Sequence, residues 1–280
     1  MVVQNQVITA QVEYVVGCLQ AKVSLSHITS HSNFNINEFI KNIKMKKLYI
    51  FGSLLATMSL VSCDNIAPED RYIEVERNHS EKVVLLEEFT GQRCVNCPDA
   101  AEIVHNLQEV HPDNLIAVCI HPYASGFTAP MGPIDLRCEA ADVYFNAFGK
   151  PQEFPTAIID RTVFDGNLLL NNKQLWSSYV EQELTKETPL NIAMESAYNA
   201  ETRELSVDYS VEFTNVVDYA VSFQLWIIEN KIIAPQYTHG APNPKYEHNH
   251  VLRDAINGFW GVELGNKFVP TDKSNGTATY

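Results

Sequence analysis

Apolar residues fall along this chain in three rhythms, and each predicts a different kind of element. The first is one unbroken stretch, residues 48–60, that follows Met45-Lys46-Lys47 and is too short to cross a bilayer comfortably. The second runs from about residue 83 to 187. There, short apolar runs suit strands buried on both faces: Val83-Val84-Leu85-Leu86, residues 115–120 and Thr156-Ala157-Ile158-Ile159-Asp160, with Thr162-Val163-Phe164 as a further strand after a tight turn. Between them, residues 98–110 (Ala101, Val104, Leu107), 135–148 and 171–187 (Leu175, Tyr179, Leu184) carry apolar positions at helical spacing. Strand and helix alternate, which is the order of an α/β domain, expected over residues 82–187.

The third rhythm begins after Pro189. Apolar and polar residues alternate over 190–198, 204–214 and 219–233, separated by turn signals such as Asn199-Ala200-Glu201, so an antiparallel β-sandwich is expected over 188–280. The final residues, Asn275-Gly276-Thr277-Ala278-Thr279-Tyr280, read as a hairpin turn entering another strand, and the sandwich is therefore expected to be incomplete at its C-terminal side.

A basic head followed by a short apolar stretch is the pattern of a secretory signal, here at residues 45–63. It ends in Leu60-Val61-Ser62-Cys63, which resembles the lipobox of bacterial lipoproteins and implies lipid attachment at Cys63. A core or membrane helix that happens to end in Cys is the alternative. Residues 1–44 show no clear domain pattern and are expected to be an over-extended start, with a cytoplasmic extension as the alternative. Residues 64–81 are polar, contain Pro68 and read as a tether.

Charge narrows the partners. The chain carries 34 acidic and 20 basic side chains, a formal net charge of −14. Five of the lysines and two of the acids precede Cys63, so the part after it is more acidic still, about −17. Nucleic acid is excluded as an expected partner, and membrane attachment is expected from lipid rather than from electrostatics.

Of the six cysteines, Cys94, Cys97, Cys119 and Cys138 fall in the part expected to face an oxidising compartment. Cys94-Val95-Asn96-Cys97 stands between a predicted strand and a predicted helix. A cysteine at a helix start has its thiolate stabilised by free backbone N–H groups and the helix dipole. Cys97, one turn on, faces the same side and can attack a mixed disulfide formed at Cys94. Arg93 adds a positive charge beside the first cysteine. A permanent structural disulfide and a zinc half-site are the competing readings, the latter without a second ligand pair at suitable spacing.

The strand Val83-Val84-Leu85-Leu86-Glu87-Glu88-Phe89, the Cys94-Val95-Asn96-Cys97 motif and Phe154-Pro155-Thr156 together resemble the strand, active site and cis-proline loop of the thioredoxin superfamily, over about residues 83–187. The resemblance implies a cis bond before Pro155 and a place for Phe154 and Thr156 against the backbone of a bound substrate chain. It also implies that Glu88, six residues before Cys94, is the buried acid that handles the proton of the resolving thiol; a surface acid at a strand edge is the alternative. Arg93 stands where that superfamily usually has an aromatic residue, and residues 123–148 are an insertion. More narrowly, Glu88-Phe89-Thr90-Gly91 running into the dithiol and Pro98, then Ile120-His121-Pro122, Gly149, Pro155-Thr156 and Asn249-His250-Val251-Leu252-Arg253 resemble the 28-kilodalton outer membrane protein family over nearly the whole mature chain. That resemblance implies a lipoprotein with an α/β thioredoxin-like domain followed by an all-β immunoglobulin-like sandwich.

Other residues invite weaker readings. Cys119 and Cys138 are open between inert core thiols, a second disulfide and an electron relay. His239, His248 and His250 with Tyr237 and Tyr246 offer a metal site or a solvated loop, His121 reads as a turn at a strand exit, and Trp226, Phe259 and Trp260 as β-domain core or a contact patch. The expectation overall is a lipid-anchored cell-envelope thiol-disulfide oxidoreductase. In it Cys94 attacks, Cys97 resolves, Glu88 moves the proton, Pro155 guides the substrate chain, and Phe154, Thr156 and Arg93 contact that chain. Its partners would be exported proteins with cysteines or disulfides and, through Cys63, the membrane, with no cofactor and no metal. The alternative is a non-catalytic outer-membrane or surface lipoprotein that binds a partner and uses Cys94–Cys97 as a structural disulfide. Which face of the outer membrane it occupies stays open.

Overall fold

Residues 82–280 are described in full by the computed structural model, together with the backbone of two strands, β1 (Gln6–Glu13) and β2 (Tyr72–Val75). The expected signal segment, Cys63 and the remainder of 1–81 lie outside the described residues.

The apolar runs of the second rhythm become the centre of a mixed sheet. β3 (Val84–Phe89) is buried at every position, and β4 (Leu115–Ile120) lies parallel to it in the register Val84↔Leu115 to Phe89↔Ile120. β5 (Thr156–Ile159) runs antiparallel on the other side of β3, opposite Leu86 to Phe89. The expected strand at 162–164 is absent. Phe164 instead closes a small loop by exchanging backbone hydrogen bonds with Asn167, after Asp160 and Arg161 turn the chain at positive φ (47° and 51°).

Both faces of this sheet need cover because both carry apolar side chains. On one face, α1 (Cys97–Val110) presents Ala100, Val104 and Leu107, and α3 (Trp176–Leu184) presents Trp176 and Val180, against Val84, Leu86, Ala157 and Ile159. On the other, α2 (Glu139–Ala147) sets Tyr144 and Phe145 against Phe89, Ile120 and Ile158. Each fully buried side chain of this size contributes about 1.5 to 3 kcal/mol, so the two layers fix the orientation of every residue on β3.

The C-terminal part departs from expectation. β6 (Leu190–Asn199) and β7 (Glu204–Phe213) form an antiparallel ladder, joined by β2 and by β13 (Lys273–Thr279), in the order β13-β7-β6-β2. β8 (Val221–Glu229) and β11 (Val251–Ala255), however, leave this group and extend the central sheet, which runs β1-β8-β11-β4-β3-β5, with β12 (Val262–Gly265) also on β8. β9 (Ile232–Gln236) and β10 (Asn243–His248) form a separate hairpin. The expected α/β thioredoxin-like domain followed by an immunoglobulin-like sandwich is therefore not the architecture. Strand outweighs helix among the described residues, thirteen strands against three α-helices, and one sheet draws strands from both halves.

The physical reason lies in β8. Its residues are buried on both sides, with Phe223, Leu225 and Ile227 in the core shared with β6 and β7 and Trp226 and Ile228 in the core shared with α2. A strand apolar on both faces cannot sit at the surface of a one-sided sandwich.

The junction between the halves is sealed by an ion pair. Glu87 on β3 is fully buried and accepts two hydrogen bonds from Arg161, Nε to Oε2 and Nη2 to Oε1, both 2.9 Å. The Arg161 guanidinium also lies 5.1 Å from the Phe148 ring centroid and 5.8 Å from those of Tyr144, Trp226 and Trp260. These rings come from α2, the turn that follows it, β8 and the loop after β11, so one side chain bridges the central sheet and its C-terminal extension.

Candidate functional site

Cys94 and Cys97 are joined by a disulfide, with Cα atoms 5.4 Å apart. α1 begins at Cys97 rather than at Cys94. Asn96 takes the N-cap position and Pro98 sits in the first turn, where a missing N–H costs nothing. Cys94 therefore lies in the turn that leads into the helix. Both cysteines are buried, 2% and 3% exposed, and belong to the same core as Phe89, Phe154 and Tyr144.

Long-range hydrogen bonds hold this turn. Within it, the Cys94 N–H donates to Gly91 O (3.0 Å). From the insertion, Phe127 O accepts the Arg93 N–H (2.8 Å), and the Arg93 side chain donates to Ala129 O and Pro130 O, each at 3.0 Å. Arg93 is thus occupied with the 126–130 loop. The close approach depends on Gly91, because a Cβ there would lie 2.3 Å from Phe127 O and 2.6 Å from its carbonyl carbon. Gly91→Ala should lower unfolding free energy by about 1 to 3 kcal/mol in urea titration; an unchanged midpoint would show that the 126–130 loop moves away freely.

Beside the disulfide is an open groove of about 320 Å³, lined by Asn96, Glu153, Phe154, Pro155, Asn171 to Lys173 and Gln174. The Phe154–Pro155 peptide bond is cis. Phe154 is buried and stacks on the half-exposed ring of Phe127, centroids 5.2 Å apart. Thr156 is buried too, its Oγ1 within 2.5 Å of Glu153 O and 2.9 Å of Asn171 Oδ1. A larger open cleft, about 700 Å³, is lined by Lys82, His111, Glu181 and Lys186 among others and shares no residue with this groove.

Glu88 is buried, 1% exposed, one residue before Phe89, and burial pushes its carboxyl up to about 8. Thr90 and Lys173 oppose that rise, the first by a hydrogen bond and the second by charge. Glu88 Oε1 has no hydrogen-bond partner among the described residues. Lys173 itself donates to Asn96 O (3.3 Å) and Asp99 Oδ2 (2.9 Å), so one ammonium group connects the turn, the helix start and the field at Glu88. Together with His239, whose Nε2 is 3.1 Å from the same Asp99 oxygen, Lys173 holds the Asp99 carboxyl below the usual range.

The Glu88 shift has a signed consequence for stability. The folded state holds its proton up to about pH 8 while the unfolded chain releases it near the ordinary value of 4.5, so stability falls as pH rises through that interval. Buried His121 and His248 are pushed down, to about 3 and about 4, by burial first; they cost stability as pH falls below 6.5, leaving 6.5 to 8 to Glu88. Between those values the wild type should lose about 1 to 2 kcal/mol that Glu88→Gln does not, measured as melting temperature against pH. Parallel curves would show that Glu88 ionises normally.

The weaker candidates separate. Cys119 and Cys138 are free thiols. Cys138 stands at the N-cap position of α2 and donates to Leu252 O (3.3 Å), and burial raises both thiols, Cys138 to about 11. His248 is buried against His121, ring centroids 6.4 Å apart, while His239 reaches Asp99, so the histidines do not gather. No cluster of three or more His, Cys, Asp or Glu side chains fit for a metal occurs among the described residues. Trp226 is core, its Nε1 donating to Tyr144 Oη (2.9 Å), whereas Trp260 is 46% exposed.

Sequence reasoning missed Lys173, Asn171, Phe127 and two glutamines. Gln236 at the end of β9 donates from Nε2 to Cys94 O (2.8 Å) and Gly91 O (3.1 Å), and Gln92 donates back to Pro235 O (2.9 Å). The only local sign was a Gln closing an apolar strand.

Comparison with known proteins follows the fold and the C-terminal half. No curated protein matches the chain. The structure is similar to HBP35 of Porphyromonas gingivalis, with a TM-score of 0.54 at 14% identity, over 72% of this chain and 65% of that one. The chain thus spans less than two thirds of that protein, and the likeness is one of fold alone. A structural-genomics protein of Agrobacterium tumefaciens gives a TM-score of 0.38 at 15% identity, over 72% of this chain and 79% of that one. Residues 141–277 match the family model of outer membrane protein Omp28, a stretch that takes in most of α2 and nearly all of the chain after it. Over that stretch, just under half of its length, the chain is similar to the outer membrane protein Omp28 family, and the match supports a place in the cell envelope.

Proposed function

We propose that this envelope protein is a thiol-disulfide oxidoreductase of exported proteins, with Cys94 and Cys97 as its redox pair. The observation that carries the reading is the placement of that pair, at the start of α1 and beside an open groove rich in side-chain amides. Asn96, Asn171 and Gln174 offer donors and acceptors to an extended main chain, Phe154 and Pro155 supply the groove's apolar lining, and Phe154 packs in the same core as the cysteines. Attachment to the membrane through lipid on Cys63 belongs to the same reading and is supported by Leu60-Val61-Ser62-Cys63.

Starting from the reduced pair, the Cys94 thiolate attacks one sulfur of a substrate disulfide. A Cys94–substrate bond forms, the substrate S–S bond breaks, and the second substrate sulfur leaves as thiolate. Cys97 then loses its proton and attacks the Cys94 sulfur, which closes the Cys94–Cys97 disulfide and releases the first substrate sulfur. The substrate gains two electrons and the pair loses two; the reverse sequence oxidises a substrate dithiol. Glu88 suits the proton step because its carboxyl, pushed up to about 8, lies near the ordinary value of a thiol, about 8.5. Lys173 favours the anionic form of Glu88, which is the form able to take the Cys97 proton.

A second reading is favoured by one observation: both cysteines are nearly fully buried and packed with core aromatics. On that reading the disulfide is a fixed staple and the groove binds a partner without chemistry. Trapping separates the two. Cys97→Ser, expressed in the envelope, should accumulate mixed disulfides between Cys94 and exported proteins, visible as bands that dithiothreitol removes. Absence of such bands, with Cys94 recovered as a free thiol, would leave the staple reading.

A further inference from the structure

How firmly the two cysteines are kept at ring-closing distance governs any exchange at this site, and a firm constraint comes from the far end of the chain. Gln236 is 3% exposed, and its Nε2 donates to Cys94 O (2.8 Å), Gly91 O (3.1 Å) and Tyr237 O (3.1 Å). An amide NH2 has two hydrogens, so one is shared. Gly91 O also accepts the Cys94 N–H, so the same carbonyl is held from two directions. The grip is reciprocal: Gln92 Nε2 donates to Pro235 O (2.9 Å), and the Tyr237 N–H donates to Gln92 O (2.8 Å). Buried bonds of this kind have no water to replace them when a partner is removed.

We infer that Gln236 is a positioning residue for the Cys94–Cys97 pair, clamping the 91–94 turn so that the reduced cysteines keep the spacing of the disulfide. This rests on the exchange reading above. The bonds end on carbonyl oxygens, not on sulfur, so Gln236 acts through the backbone rather than on thiolate charge. Stability of a closed dithiol follows the effective concentration of one sulfur at the other, and a turn free to swing at Gly91 to Cys94 lowers it. Gln236→Met keeps the length of the side chain and removes the donor. It should make ring closure about tenfold less favourable, which raises the reduction potential by about 30 mV, and slow attack by Cys97 on a Cys94 mixed disulfide by a similar factor.

The test equilibrates the full chain, its Gln236→Met and Gln236→Ala forms and Gln92→Met with glutathione redox buffers, and reads the oxidised fraction along with the melting temperature of each oxidised protein. Gln92→Met also removes Oε1, a buried atom with no hydrogen-bond partner among the described residues, so it keeps the test open if the Gln236 variants do not fold. A potential about 30 mV above wild type in the Gln236 variants, and a smaller rise in Gln92→Met, supports the assignment. A wild-type pair that titrates in the exchange range while every folded variant titrates with it, whatever the melting temperatures, overturns the assignment and leaves the exchange reading intact. A wild-type pair that stays oxidised throughout overturns both.

Discussion

Cys94→Ser should bring reduction of a protein disulfide down to the uncatalysed rate while the fold survives. The serine hydroxyl is not ionised near neutral pH and forms no disulfide, so neither half of the exchange can begin. The accompanying loss of stability is small, because the Cys94–Cys97 bond closes a loop of only four residues and such a loop contributes about 2 kcal/mol or less. Cys97→Ser separates the roles: the first attack proceeds and the mixed disulfide accumulates, giving a single turnover without release. Steady-state reduction of a disulfide-bonded protein by glutathione, measured beside urea unfolding of each variant, checks both parts. Equal activity in wild type and Cys94→Ser would remove Cys94 from the chemistry.

Arg161→Met should be the most destabilising of the substitutions considered, at about 3 to 5 kcal/mol. Glu87 has no exposure, and without Arg161 its carboxylate stays buried with neither of its two guanidinium hydrogen bonds. The methionine fills part of the space between Phe148, Trp226 and Trp260 but offers no charge to their faces or to Glu87. A loss of this size corresponds to a melting temperature lower by about 10 °C for a domain of this length. Glu87→Gln combined with Arg161→Met should recover part of it, since the stranded charge is then gone. A single-variant loss below about 1 kcal/mol would mean that the sheet and its C-terminal extension are joined by apolar packing alone.

What could be read in the sequence was local. Leu115–Ile120 is found where its unbroken apolar run placed it, and the helical spacing of 98–110 matches α1 within a residue. The proximity of Phe154 and Pro155 to Asn96 followed only from resemblance, since nothing in their own sequence brings them there. Residues 219–233 were legible as strand, but not as a strand of the central sheet: alternation records one buried face, and the second face of Trp226 and Ile228 is decided by α2, some eighty residues earlier. Lys173 and Gln236 were invisible for the same reason. Each acts on the dithiol turn across 77 and 142 residues, and neither a Lys in a loop nor a Gln at a strand end carries a local pattern that says so. His248, read as loop, is buried because β10 folds it onto His121.

The central claim is that the Cys94–Cys97 pair cycles, and its reduction potential tests this most directly. Equilibrated with glutathione buffers of graded ratio and quantified by thiol alkylation, the purified protein should show a two-electron midpoint between about −120 and −270 mV, the interval of known dithiol exchangers. A pair still oxidised below about −300 mV would contradict the account and make the disulfide a structural staple of an envelope binding protein.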